Sequence, residues 1–215
     1  MADDLRRYSR LDRALSDLQK LFKHRPGSSS STSSPTLETP ASDELSESEI
    51  NHSAALMRVN HAGEIAAQGL YTGQAVTARQ QTTRTLLENA GQQEQQHLQW
   101  CSQRLQELNS GPSKLAPLWF TGSVALGMLN GLAGDRWSLG FVAETERQVE
   151  KHLAGHLNKL PAQDHRSRTI VKQMLDDEVE HGHTAIQAGG RPLPWPVRLL
   201  MKASAKVMTS TAYRF

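Results

Sequence analysis

Two stretches decide how this chain folds, LLENAGQQEQQHLQWCSQRL at residues 86–105 and IVKQMLDDEVEHGHTAIQ at residues 170–187. In the first, Leu87, Ala90, Glu94, His97, Cys101 and Leu105 recur at three- and four-residue steps, which places them on one stripe of an α-helix. In the second, Ile170, Met174, Glu178, His181 and Ala185 repeat the pattern. Each stripe is apolar except for one Glu-x-x-His pair, and that spacing sets both side chains on one helix face about a turn apart. A carboxylate and an imidazole buried in such a seam without a partner would cost several kcal/mol, so both helices must aim their pairs at something that binds them. Glu180 and His183 have the same spacing, but Gln173, Asp176 and Asp177 precede them on a face that reads as solvated. Glu178 and His181 are therefore the inward pair.

Working outward, the chain after Asp43 shows helical periodicity and no alternating β-branched runs. The expected helices cover about 44–79, 82–109, 116–133, 136–159, 164–188 and 196–210. They are divided by Gly111-Pro112, Gly134-Asp135, Pro161 and the Gly- and Pro-rich segment 189–196. Four of them run to roughly 25 residues, the inventory of an all-α four-helix bundle with additional helices. A paired-metal carboxylate bundle also needs one inward glutamate from each remaining long helix. Leu139, Val142, Glu146, Val149 and Leu153 share a stripe, which favours Glu146 over Glu144 and over Glu150. In the first long helix Met57, His61, Glu64, Gln68 and Tyr71 follow at helical steps, and Glu64 is the one carboxylate between Glu49 and Glu88. The seams carry no basic residue placed to neutralise four glutamates. Two divalent ions would do so, and mixed carboxylate and imidazole donors suit iron or manganese better than calcium.

Composition narrows the choices further. Of 215 residues, 24 are Lys or Arg and 22 Asp or Glu, a formal charge of +2, with a single cysteine, Cys101. One sulfur excludes a disulfide scaffold, a thiol-rich zinc site and a Cys-ligated iron–sulfur cluster. The small net charge argues against nucleic-acid binding. Residues 1–25 carry charges throughout and lack a secretory h-region. Within them Leu5, Tyr8, Leu11, Leu15, Leu18 and Phe22 form the stripe of a short amphipathic helix. Residues 26–42, PGSSSSTSSPTLETPAS, read as a flexible Ser/Thr/Pro linker, leaving 43–215 as the bundle.

These segments resemble a known family. RVNHAGEIAAQGLYTGQA at 58–75, EQQH at 94–97, PLWFTGSVALG at 117–127, GFVAETERQVEKHL at 140–153 and DDEVEHGH at 176–183 are similar to the demethoxyubiquinone hydroxylases of ubiquinone biosynthesis. The terminal KVMTSTAYRF and the DRALSDL helix are similar to bacterial members. The resemblance implies a ferritin-like bundle with a di-iron centre, in which Glu64 and His97 bind one iron, Glu146 and His181 the other, and Glu94 and Glu178 bridge both. It also implies a monooxygenase that uses O2 to hydroxylate a polyprenylated demethoxyubiquinone or demethoxyubiquinol, with an external reductant such as NADH. The chain has no Gly-x-Gly-x-x-Gly phosphate loop, so reduction would come from outside. The alternatives are an iron-storage bundle and a non-enzymatic scaffold for other quinone-pathway proteins.

A polyprenyl substrate resides in a bilayer, so a membrane-facing surface is expected, on the cytoplasmic face of the bacterial inner membrane. Residues 115–133 lack any charge, but Pro117, Gly122, Gly127, Asn130 and Gly131 interrupt them. We expect an interfacial helix at 116–133, with Ser123, Gly127 and Gly131 as a small-residue stripe for close helix approach or self-association. In the helix at 196–210, Val197, Leu200, Met201, Ala205 and Met208 form an apolar face beside Arg198, Lys202 and Lys206. Tyr71, one turn past Gln68 on the metal-facing stripe, is the catalytic candidate, to gate the cavity or relay an electron.

Overall fold

A computed structural model describes residues 45–215. The N-terminal helix and linker expected over 1–25 and 26–42 lie outside the described residues. The described residues form six helices and no strand: α1 (Glu47–Thr77), α2 (Gln81–Glu107), α3 (Ala116–Leu132), α4 (Asp135–Leu157), α5 (His165–Gln187) and α6 (Trp195–Ala212). Each begins and ends within about three residues of the periodicity-based bounds. At the start of α1, Ser46 and Glu49 cap each other reciprocally.

Side-chain pairings fix the arrangement. His61 meets Ser102 and Gln68 meets Gln95, so α1 and α2 run antiparallel. Asn60 meets His156 while Gln74 meets the Ser138 carbonyl, so α1 and α4 are antiparallel as well. Arg104 meets Ser167 and His181 meets Gln93, which makes α5 antiparallel to α2. The result is a ferritin-like four-helix bundle of α1, α2, α4 and α5. Because α2 and α4 point the same way, the chain must return along the bundle between them. The 17 residues of α3 span about 25 Å and make that return.

The crossover lies unusually close to α1. A Cβ on Gly73 would stand 2.2 Å from the Val124 carbonyl oxygen, and one on Gly127 would stand 2.2 Å from that of Leu70. Backbones can approach like this only where side chains are absent. The Gly127/Gly131 stripe is thus consumed inside the chain against α1, and it is not free for self-association. At the same end, Asp135 accepts the backbone N–H groups of Arg79 and Gln80 at 2.9 and 2.8 Å, tying the α1–α2 turn to the start of α4.

Two apolar clusters lie along the bundle axis. One contains Met57, Trp100, Cys101, Leu105, Leu153, Ile170 and Met174. The other contains Tyr71, Leu87, Ala90, Val142 and Ala185. Between them, on all four helices, falls a layer that is polar.

Outside the bundle, α3 buries only Gly127, Asn130 and Gly131. It leaves Leu118, Leu126, Leu129 and Leu132 exposed. The apolar residues of α6 divide between two directions, a point on which the single face expected from sequence needs correction. Val197 and Met201 pack against Leu70, Phe141 and Leu193, whereas Trp195, Leu199, Leu200 and Val207 are exposed. No described helix is long and apolar enough to cross a membrane.

Candidate metal centre

The polar layer consists of the six residues chosen from the helix faces. Glu64 comes from α1, Glu94 and His97 from α2, Glu146 from α4, Glu178 and His181 from α5, and all six are buried. Each sits where its seam would otherwise carry an apolar side chain, so folding the seams together draws them into one place. The His97 Nδ1 lies 3.6 Å from Glu64, 3.4 Å from Glu94 and 3.4 Å from Glu178. The His181 Nδ1 lies 3.3 Å from Glu94 and 3.2 Å from Glu178. Glu146 accepts a short hydrogen bond from the Tyr71 hydroxyl. Glu180 and His183 are exposed. Glu144 is buried but engaged by Arg147 and Gln148.

The electrostatics show strain between these groups. Burial, and then the neighbouring Glu94, pushes the Glu64 carboxyl well above the usual carboxylate range. Burial and the charge of Glu178 do the same to Glu146. Burial also opposes ionisation of Glu94, but the close approach of Glu64 and of both imidazoles outweighs it and holds Glu94 low. For His181 burial is overcome by the hydrogen bond to Glu178 and the nearby carboxylate of Glu94, which raise the imidazole to about 9. Burial likewise disfavours charging His97, yet Asp177 and the surrounding carboxylates drive it strongly upward. Buried carboxylates this close cannot all ionise unless cations join them.

The unsatisfied atoms indicate what those cations would be. Both carboxylate oxygens of Glu94 and the Nδ1 of His97 are buried without a hydrogen-bond partner. Carboxylate oxygens of Glu64, Glu94 and Glu178 and a nitrogen of His97 lie within 4.8 Å of one another. Four carboxylates and two imidazoles converge in one buried layer, some of their atoms unpartnered, and divalent metal would fit this donor set and offset the charge of the glutamates. Among the described residues the one buried arginine, Arg104, lies elsewhere. It pairs with Asp164 and Glu107 at 2.8 and 3.1 Å, at the far end of α2.

Two contributors escaped the sequence reading. His97 donates from Nε2 to Asp177 Oδ2 at 2.9 Å, and His181 donates from Nε2 to Gln93 Oε1 at 2.7 Å. Asp177 belongs to the face judged solvated, and it is indeed partly exposed. The signal was available in chemistry rather than periodicity, because a metal-facing imidazole needs an acceptor on its other nitrogen. By contrast, none of His61, His152 and His156 hydrogen-bonds to the six residues. His61 meets Ser102, His156 meets Asn60, and the His152 and His156 rings lie 4.0 Å apart.

An all-α ferritin-like bundle with a buried glutamate and histidine cluster able to hold metal is the class that fold and site define. Comparison with known proteins narrows it. The family described as "Ubiquinone biosynthesis protein COQ7" matches residues 51–212. The chain is 57% identical over 181 residues to the 3-demethoxyubiquinol 3-hydroxylase of Polynucleobacter asymbioticus, which covers 82% of this chain and 87% of the relative. It is 59% identical over 170 residues to the protein of that name from Ralstonia pickettii, covering 79% and 78%. To the Bordetella parapertussis protein of that name it is 51% identical over 209 residues, covering 97% and 94%. The chain belongs to the COQ7 family of ubiquinone biosynthesis proteins.

Proposed function

We propose that this protein is a 3-demethoxyubiquinol 3-hydroxylase, a di-iron monooxygenase acting on a polyprenylated benzoquinol ring. One observation carries the reading: a buried layer of four glutamates and two histidines, contributed by all four bundle helices, in a chain more than half identical to proteins named for that activity. Glu64 and His97 would hold one iron, Glu146 and His181 the other, with Glu94 and Glu178 shared. When bound, the ferrous pair would supply two electrons to O2. In the net reaction one ring C–H becomes C–OH, the second oxygen atom leaves as water, and two electrons and two protons are consumed. An external donor such as NADH, acting through a transient partner, restores the electrons.

The residues around the layer have identifiable tasks. The two apolar clusters above and below it exclude water from the reacting region. Tyr71 keeps a proton at its hydroxyl against Glu146, orienting that carboxylate and standing ready to deliver the proton. Asp177 and Gln93 fix the two imidazoles with Nδ1 inward.

The outward faces of α3 and α6 would meet the bilayer that holds the substrate. Leu118, Leu126, Leu129 and Leu132 on α3 and Trp195, Leu199, Leu200 and Val207 on α6 are exposed, and a bilayer contact would cover this apolar area. The exposed cations Arg198, Lys202 and Lys206 flank it and suit anionic headgroups. That surface, rather than the glycine stripe, is available for self-association or for other ubiquinone-biosynthesis proteins. We place the protein peripherally on the cytoplasmic face of the inner membrane.

The test is to load the full chain anaerobically with ferrous iron, add a demethoxyubiquinol analogue in detergent and admit heavy-isotope O2. Mass spectrometry should find one O2-derived atom on the ring. Oxidation of iron with no label in the quinol would replace this reading with iron storage.

A further inference from the structure

The two halves of the metal centre are written with the same spacing. On α2 the order is Gln93, Glu94, His97, and on α5 it is Asp177, Glu178, His181. Each histidine turns Nδ1 inward, and its Nε2 reaches the residue that precedes the glutamate on the opposite helix. This approximate two-fold symmetry is broken in three independent respects. The outer acceptor is a carboxylate behind His97 (2.9 Å) and a neutral amide oxygen behind His181 (2.7 Å). Glu146 has one oxygen engaged by the Tyr71 hydroxyl, whereas Glu64 faces the His97 Nδ1 at 3.6 Å. The donor atoms gathered within 4.8 Å belong to Glu64, Glu94, His97 and Glu178, a set that omits Glu146 and His181.

We infer that the two halves are unequal metal sites: the Glu64–His97 half, backed by Asp177, takes a divalent cation first and more tightly, and the Glu146–His181 half, backed by Gln93, fills second. The inference rests on the reading above that these six residues hold two ions. A carboxylate behind an imidazole N–H draws on its proton and makes the inner nitrogen a stronger donor, while an amide dipole does this less. Removing such an outer partner costs about 10- to 100-fold in metal affinity. Asp177 is itself held, since Gln173 donates to its other oxygen at 2.9 Å. It is a positioning residue, and its carboxylate adds a negative charge beside one half of the centre only.

The test is anaerobic titration of the full chain, first stripped with chelator, with manganous chloride alone, followed by electron paramagnetic resonance. A signal from isolated bound manganese should grow up to about one equivalent and then give way to that of a coupled pair. Asp177→Asn should weaken the first step by about 10- to 100-fold, Asp177→Glu should restore most of it, and Gln93→Glu should tighten the second step toward the first. Thermal unfolding of each chelated variant establishes that it is folded. Should Asp177→Asn fail to fold, Gln93→Glu and Asp177→Glu carry the test. Coupled pairs forming from the first addition, or a folded Asp177→Asn with an unchanged first step, would overturn the inequality while leaving the two-ion reading intact. Absence of bound manganese in the folded wild type would overturn both.

Discussion

Replacing Glu146 by glutamine should stabilise the protein when it is stripped of metal, and by an amount that depends on pH. Glu146 is 2% exposed, and burial and the charge of Glu178 push its carboxyl well above its ordinary value of 4.5. In the unfolded chain that carboxyl releases its proton near 4.5, while in the folded chain it keeps it. The folded state therefore binds the extra proton above pH 4.5, and stability is lost as pH rises from there. The slope for one such group is roughly 1.4 kcal/mol per pH unit, which sets a ceiling of about 3 kcal/mol at pH 7. Glutamine has the same length, still offers an oxygen to the Tyr71 hydroxyl, and has nothing to ionise. We expect Glu146→Gln to match wild type near pH 4.5 and to exceed it by about 1–3 kcal/mol at pH 7. At ~2–4 °C per kcal/mol for a chain of this size, the melting temperature should rise by about 2–12 °C. The assay is thermal unfolding by circular dichroism in excess chelator across that pH range. His181, raised to about 9, and His61 and His152, lowered to about 4, bend both curves alike and largely cancel in the difference. A mutant no more stable than wild type at pH 7, or a gain that persists undiminished at pH 4.5, would refute the reasoning. With metal bound the order should reverse, because an amide oxygen is a poorer ligand than a carboxylate.

Four further outcomes are expected. Gly127→Val should cost about 1–3 kcal/mol or more through overpacking against the Leu70 carbonyl. Gly122→Ala, with nothing within 4 Å, should instead gain roughly 0.5–1 kcal/mol from helix propensity, and denaturant titration reads both. Tyr71→Phe should retain iron but lower turnover by about 100-fold, the usual range for a lost proton-transfer group; unchanged kcat would reduce Tyr71 to packing. Leu199→Glu with Leu200→Glu should abolish flotation with anionic liposomes without changing the melting temperature, since both side chains already face outward.

The helices and the polar layer were legible because both depend on periodicity. A buried Glu-x-x-His interrupts an apolar stripe in a way that any helical wheel shows, and Glu64 was the one carboxylate of α1 beyond its first turn. What periodicity could not show was pairing between helices. The glycines of α3 announced a close approach, but Gly69 and Gly73 as its target emerge only when the crossover lies along α1. Asp177 and Gln93 were missed because they point outward from their own helices and matter only to the neighbouring one. Arg104 was overlooked for a related reason: its partners Asp164 and Ser167 sit at the start of α5, remote from α2 in sequence. The mixed face of α6 likewise depends on where Leu70 and Phe141 present their surface.

The proposed function requires that this layer hold a pair of irons and that Glu178, rather than the exposed Glu180, be among their ligands. Anaerobic ferrous loading of the full chain, with bound iron counted after gel filtration, tests it most directly. About two ions per chain are predicted for wild type and for Glu180→Ala, following the stoichiometry of such bundles, with loss of bound iron in Glu178→Ala. Retention of both ions by Glu178→Ala, or their loss in Glu180→Ala, would contradict the account.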